Sequence, residues 1–225
     1  MKGAIMVRSG IFFNIIFIVF SSSAVFSQGE FLEKGESGVG VNAGWTSNKD
    51  ASGFGGTAGY STRGTVDIDM SYSHSSTGQQ LNGYGLSVDS YTPSLTVHIK
   101  PDSSSGIPVF ASISTAYEID SYSSEALYGL TAMSSRGFTI GASISCNIGS
   151  PMAYCQPSIG FSHVFSTIIF DGQSTNVQAN LFLFGLSYVF KISPTTSVAI
   201  EPAVAVANNE STFSISAGFV FGIHH

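Results

Sequence analysis

Acidic residues in this chain occur at positions that could line a channel. Asp67 and Asp69 alternate with apolar residues along one short segment, and Asp89 and Glu201 lie within two further apolar segments. In a β-strand, neighbouring side chains point to opposite faces, so carboxylates and the apolar residues beside them take different faces. A ring of carboxylates around water favours cations over anions. The spacing therefore predicts a wet, acidic lumen that these four residues face and that passes small cations or solutes.

The two cysteines flank a predicted turn. Cys146 and Cys155 lie on either side of Gly149, Ser150 and Pro151. If the hairpin is centred on Ser150 and Pro151, the cysteines lie directly opposite on one face, where Cβ atoms are about 4.5–5.5 Å apart. Backbone adjustment would bring them to disulfide distance, and an oxidising compartment permits the bond. A disulfide and two free buried thiols are both open at this point.

The histidines do not form a metal site by their spacing. His224 and His225 are two ligands, whereas a structural zinc site has about four. His98 is predicted to face the lumen and His163 the outer interface, each as a hydrogen-bonded or solvated side chain. The glycines lie in predicted strands and do not form a phosphate-binding loop with Lys and Ser or Thr. We therefore predict no metal and no cofactor.

Strands must position these residues. Apolar residues alternate with small or polar ones along most of residues 38–223, most clearly over residues 211–223, and turn-forming residues separate the runs. We count about ten strands, and eight or twelve stay open as alternatives. Residues 75–83 and 120–137 are predicted to be exposed loops. Within the second loop, residues 126–133 fit either a short helix or an extension of the next strand.

Two irregularities interrupt the alternation. Tyr84, Leu86 and Val88 hold even positions in the fourth strand, whereas its later apolar residues hold odd ones, so a bulge is predicted near Ser90. Three prolines also fall inside predicted strands, where each removes a hydrogen-bond donor, and they suggest repeated bulges. These prolines are Pro93, Pro157 and Pro202.

The chain begins with the features of a secretory signal peptide, residues 1–27. Lys2 and Arg8 precede an apolar run over residues 11–20, which is shorter than the roughly 20 residues of a spanning helix. Cleavage before Gln28 leaves one domain, residues 28–225. Only 10% of the residues are charged, against about 25% in soluble domains, so much of the surface is predicted to avoid water. The acidic excess excludes nucleic acid as a partner.

The end of the chain resembles the closing strand of an outer-membrane barrel. Ser216, Gly218, Phe221 and Ile223 match the alternating polar, Gly, aromatic and apolar positions, although His224 and His225 extend past the usual end. Over residues 38–223 the chain resembles the small porin-like outer-membrane β-barrel family. The resemblance implies an all-β, antiparallel, up-and-down transmembrane β-barrel in the Gram-negative outer membrane, with both termini on the periplasmic side.

The same resemblance implies partners. They are the outer-membrane lipids and the barrel assembly machinery, for which the four closing-strand residues would be the signal, and a monomer is favoured. Aromatic residues near predicted strand ends would form the interfacial girdle. These are Trp45, Tyr60, Tyr72, Tyr91, Tyr117, Phe138, Phe165, Tyr188, Phe190 and Phe221.

Three functions are compatible with this family. Inward residues that are mostly Gly, Ser, Thr and Ala are too small to fill a ten-stranded barrel, which favours a narrow porin-like passive channel with an acidic lumen. The alternative is a closed structural or adhesin-type barrel acting through its extracellular loops. In that case apolar residues plug the interior; the candidates are Phe110, Leu181, Leu183 and Val189.

A barrel lipid hydrolase is the third and weakest alternative. Barrel proteases carry an Asp-x-His pair, which this chain lacks, and barrel lipid deacylases share a His-x-Ser-Asn segment. His74, Ser75 and Ser76 lack the Asn of that segment. We therefore predict no enzymatic activity and no catalytic residues.

Overall fold

The strands follow the alternation of the sequence. The computed structural model describes residues 31–81, 84–101, 109–123, 133–170, 172–207 and 210–223. These residues form β1 (Ser37–Ser47), β2 (Ala51–Thr62), β3 (Val66–Leu81), β4 (Tyr84–Ile99), β5 (Val109–Ser123), β6 (Ser134–Cys146), β7 (Ile148–Ser150), β8 (Ala153–Phe170), β9 (Gln173–Ser193), β10 (Thr196–Ala207) and β11 (Glu210–Ile223). Across the same residues, no helix is long and apolar enough to cross a membrane.

The sheet closes on itself. Apart from β6 and β7, each strand pairs antiparallel with its neighbour in the chain. β1 pairs with β11 from Ser37 opposite Ile223 to Ser47 opposite Phe213. β6 and β7 are one strand of the barrel, interrupted at Asn147, because both pair with β8. The closed, up-and-down barrel of ten strands predicted from the sequence is therefore confirmed. Closure leaves no strand edge unpaired, which is the condition for crossing lipid.

The two faces of the barrel differ as the alternation requires. Along β11, Phe213, Ile215 and Phe219 are exposed on the outside, whereas Thr212 and Val220 are buried inside. The ten aromatic residues of the predicted girdle all lie on the outer face, each between 39% and 52% exposed. An outer surface of this kind is stable against lipid rather than water.

The barrel is taller on one side than on the other. We call the end that carries Ser37 and Ile223 the terminal end, and the opposite end the distal end. At the distal end, β8 and β9 extend over 18 and 21 residues, whereas β1 has 11. The predicted loop at residues 75–83 is mostly strand, because β3 continues to Leu81 and β4 begins at Tyr84.

The second predicted loop is also shorter than expected. β5 continues to Ser123 and β6 begins at Ser134, so strand covers both ends of residues 120–137. Residues 124–132, where a short helix was one alternative, lie outside the described residues, as do residues 1–30 with the predicted signal peptide.

The predicted bulge near Ser90 is wrong. β3 and β4 pair without a register shift from Val66 opposite Val97 to Ser76 opposite Ser87, and the shift lies beyond Ser76. The even residues of β4 therefore face inward along its whole described length, so Leu86 and Val88 lie inside the barrel. The pattern changes phase because the interior itself changes from polar to apolar towards the distal end.

The three prolines do not mark bulges. Between β4 and β5 the register is the same on both sides of Pro93, and between β9 and β10 it is the same on both sides of Pro202. Pro157 likewise lies opposite Leu186 within an unbroken pairing of β8 and β9. A missing N–H removes a single bond from one ladder, which the antiparallel pairing tolerates without inserting a residue.

Candidate functional site

The barrel interior contains a buried His–Asp pair near the terminal end, within two residues of the turn between β2 and β3 and of the end of β4. The side chains of His98 and Asp67 are both fully shielded from solvent, and Nε2 of His98 lies 3.0 Å from Oδ2 of Asp67. Nδ1 of the same imidazole lies 2.8 Å from Oγ of Ser112. β3, β4 and β5 thus contribute one chain of hydrogen bonds across the interior. These hydrogen bonds compensate the free-energy cost of burying the Asp67 carboxylate.

Glu118 and Asp120 form a second acidic cluster on β5. Asp120 accepts hydrogen bonds from Ser90, at 2.6 Å, and from Ser135. Glu118 is fully buried, and neither of its carboxylate oxygens has a hydrogen-bond partner among the residues that the structure describes. Neither acid is predicted from the sequence, because the apolar alternation of β5 weakens after Tyr117 and residues 120–137 resemble a loop.

Glu201 lies inside on the other side of the barrel. It accepts hydrogen bonds from Ser187 at 2.8 Å and from Ser216 at 3.3 Å, and its side chain is almost completely buried. Asp69 also faces inward and is 5% exposed. The interior therefore holds five carboxylates at several heights, and the sequence pattern placed three of them on the inner face. Those three are Asp67, Asp69 and Glu201.

An apolar layer fills the interior at the distal end. Its buried side chains come from β4, β5, β8, β9, β10 and the residue before β6, and each is at most 6% exposed. We call this set the distal layer: Leu86, Val88, Tyr122, Met133, Val164, Ile168, Leu181, Ala205 and Ala207. Val177, Ala179 and Leu183 pack against it. The layer separates the carboxylates from the distal end.

A second apolar layer packs inside the barrel near the terminal end. Phe31 and Leu32, which precede β1, pack inside the barrel against Val189, Ala199 and Val220. We call these five residues the terminal layer; all are at most 6% exposed. The segment before the first strand therefore acts as part of the interior and not as an exterior lead.

Polar contacts hold this segment in the barrel mouth. Nζ of Lys191 lies 3.1 Å from Oε1 of Glu33, and Nζ of Lys100 donates to the carbonyl of Leu32. The amide of Gly35 donates to the turn between β2 and β3 at 2.9 Å. These contacts join β9, the residue after β4 and the turn between β2 and β3 to one segment, so its position is fixed from several sides.

The residues predicted to plug a closed barrel all lie in or at the interior. Leu181 is in the distal layer, Leu183 packs against it, and Val189 is in the terminal layer. Phe110 lines a cavity of about 620 Å³ at the terminal end. Apolar side chains thus pack inside the barrel at both ends.

Asp89 does not face the interior, which corrects its predicted lumen position. Its Oδ1 accepts a hydrogen bond from the Tyr72 hydroxyl at 2.7 Å and lies 2.9 Å from Nδ1 of His74. The side chains of Asp89 and His74 are 36% and 34% exposed. The cause is the unbroken register of β3 and β4, which places the odd residues of β4 on the outer face.

Cys146 and Cys155 are free thiols, which corrects the predicted disulfide. The hairpin is centred one residue later than expected, because Ile148 lies opposite Cys155 and Ser150 lies opposite Ala153. The shift places Cys146 and Cys155 two positions out of register, where the diagonal distance of about 7–8 Å between Cα atoms exceeds disulfide geometry.

Thiol labelling of unreduced, denatured protein should therefore modify two cysteines per chain. The measurement is the mass increase after maleimide treatment, with a reduced sample as the control. An unreduced sample that gains no label, while the reduced sample gains two, would show that the pair is oxidised.

Solved structures of other proteins contain a similar barrel. The barrel is similar to the translocator domain of the autotransporter NalP from Neisseria meningitidis, with a TM-score of 0.53, 11% identity and 97% of each chain covered. It is also similar to the β-domain of the Bordetella autotransporter BrkA, with a TM-score of 0.50, 11% identity, and 85% of this chain and 100% of that chain covered. This chain has the fold of an outer-membrane β-barrel. No family model and no curated protein matches it.

The four closing-strand residues of the predicted assembly signal lie on both faces of β11. Phe221 and Ile223 are exposed on the outer face, whereas Ser216 and Gly218 face inward. All four pair with β1, and Ser216, Gly218 and Phe221 also pair with β10. Their role as a signal to an assembly machinery stays a prediction.

The outer-membrane barrel offers two polar clusters and no metal centre in its described part. No group of three His, Cys, Asp or Glu side chains could hold a metal ion among the residues described. The interior carboxylates of Asp67, Glu118, Asp120 and Glu201 are at most 3% exposed, whereas Asp89 and His74 are partly exposed on the outer face.

Proposed function

We propose that this protein is a closed outer-membrane barrel that does not conduct ions and that acts through its distal hairpins and outer face. This is the structural or adhesin-type alternative of the sequence prediction, preferred over the porin-like channel. The proposal contains no reaction, in keeping with the absence from the sequence of the Asp-x-His pair and the His-x-Ser-Asn segment of barrel enzymes.

The burial of the inner carboxylates carries the proposal. Asp67, Glu118 and Glu201 are at most 1% exposed. A water-filled path wide enough for ions would leave such side chains accessible along the lumen. They are buried instead, and the apolar side chains of the distal layer and the terminal layer pack inside the same barrel.

The outer face supports a location in the outer membrane. Large apolar side chains are exposed around the whole barrel, and only a closed barrel of strands satisfies its backbone in lipid. The distal ends of β8 and β9 differ from this belt. Residues 173–176 are all exposed and polar, so this hairpin has the composition of a surface that meets water and partners.

Recordings in planar bilayers test the closed state. The full-length mature chain should give no conductance steps above the background of protein-free detergent. A known porin prepared in the same detergent is the positive control. A stable cation-selective conductance that falls when Asp67 and Asp69 are changed to Asn would contradict the proposal and restore the acidic channel.

A further inference from the structure

A groove runs over the outer face of the barrel near the distal end. It has a volume of about 610 Å³ and is formed by β5, β6, β8 and β9. Aromatic side chains line one part and polar side chains the other. The residues used below are Tyr117, Arg136, Phe138, Phe165, Thr167 and Gln178.

The groove lies where the outer face changes from apolar to polar. Along β6, the exposed Phe138 is followed towards the distal end by the exposed Arg136. Along β9, the exposed Phe182 is followed in the same direction by Asn180 and Gln178. In a membrane barrel this transition marks the boundary between acyl chains and head groups. β1 begins and β11 ends at the opposite end, which also carries the short turns that face the periplasm in such barrels, so the groove belongs to the outer leaflet.

Arg136 is the cation of this boundary. It lies between Ile119 and Thr167 in the sheet, and its side chain is exposed. No described Asp or Glu carboxylate forms a salt bridge with it. A guanidinium presents a planar fork of donors that matches phosphate geometry, and it is weakly hydrated, which suits a site next to lipid.

Amide and hydroxyl groups lie beside Arg136 and Phe138 on the two neighbouring strands. Thr167, level with Arg136, donates to Oδ1 of Asn176 at 2.9 Å, and Gln178 lies opposite Phe165, one pair closer to the terminal end. Next to the groove in that direction, Nδ1 of His163 is 2.6 Å from Oδ1 of Asn180. Ordered hydroxyl and amide groups of this kind form hydrogen bonds with sugar hydroxyls, whereas a simple phospholipid head group would use few of them.

We propose that this groove binds one phosphorylated glycolipid of the outer leaflet. Arg136 contacts a phosphate on the sugar, Phe138, Phe165 and Tyr117 pack along the acyl chains, and the amide and hydroxyl groups contact the saccharide. The inference rests on the proposed outer-membrane location and adds a ligand to the outer face.

Native mass spectrometry of the full-length mature chain in detergent micelles tests this assignment. The probes are bisphosphorylated lipid A, its dephosphorylated form, and phosphatidylglycerol. We expect one lipid A molecule per chain, and R136Q should weaken its binding by roughly tenfold or more, since a charge-assisted bidentate contact is lost. R136K should retain part of the affinity.

Lys49 provides a matched control at the same end of the barrel. It is exposed outside the groove, 2.9 Å from Glu210, and this hydrogen bond raises the pKa of Lys49. K49Q removes the same charge and should leave lipid A binding unchanged. Heat-modifiable migration on gels confirms that each variant is folded.

Three outcomes would overturn the assignment. They are equal binding of lipid A by R136Q and the unmodified protein, equal binding of the dephosphorylated form, and equal or tighter binding of phosphatidylglycerol. Failure here is distinct from failure of the proposed function. A conductance in planar bilayers with lipid A binding intact would reject the closed state alone, whereas loss of the Arg136 dependence without conductance would reject the groove alone.

Discussion

Replacing His98 by Leu should lower the free energy of unfolding by about 3–5 kcal/mol. The substitution removes the imidazole that contacts Asp67 at 3.0 Å and leaves that carboxylate buried without this partner. Unfolding by guanidinium in phospholipid vesicles measures the effect. Trp45, the single tryptophan, lies on the outer face and reports the loss of the lipid environment by its fluorescence.

His74 supplies the matched control for this prediction. It forms the second His–Asp pair, with Asp89 at 2.9 Å, but both side chains are about one-third exposed. An exposed pair contributes at most about 1 kcal/mol, so H74L should have a small effect. Changing Asp67 and His98 together to Leu should recover most of the stability, because no buried charge is left without a partner. Equal losses for H74L and H98L would mean that the inner pair is hydrated.

Leu86→Ala should destabilise the barrel by about 2–5 kcal/mol. Leu86 is 1% exposed in the distal layer, and truncation leaves a cavity between packed side chains. The same unfolding assay measures the loss. Met152→Ala, at a turn residue that is 59% exposed, is the control and should change stability by less than about 0.5 kcal/mol. If L86A were equally mild, Leu86 would face the outside, as the phase of the sequence pattern suggested.

The alternation predicts the barrel and much of its inner face because one physical contrast dominates there. Ile68 and Met70 face lipid, while Asp67 and Asp69 between them face the interior, so polarity alone separates the faces. Closure of the sheet is also predictable, since lipid cannot satisfy the backbone groups of an open strand edge.

The contrast disappears where both faces are apolar. Leu86 and Val88 are as apolar as the outward residues of β4, so the sequence cannot show that they lie inside. Asp89 was misplaced for the same reason, because its predicted face was inferred from theirs. When the inner face changes from polar to apolar along the barrel, the apolar residues in the sequence move from odd to even positions, although the register of the strands stays the same.

Two other features depend on information that the alternation does not contain. The Cys146–Cys155 pairing required the centre of a hairpin to the nearest residue, and an error of one residue changes the partner of every position. Phe31 and Leu32 lie in no strand and have no period. Only the space left at the terminal end by Val189, Ala199 and Val220 explains why they pack inside.

The pairing of β1 with β11 has a consequence for how this chain can fold. It joins residues from nearly opposite ends of the described sequence, Ser37 and Ile223, so it is among the least local contacts of the described residues. Such contacts require most of the loop entropy to be lost before they form. Until β11 arrives, β1 and β10 each present an open edge that lipid cannot satisfy. A chain shortened by its last strand is therefore not a smaller barrel, and folding in the membrane is cooperative over the entire circumference.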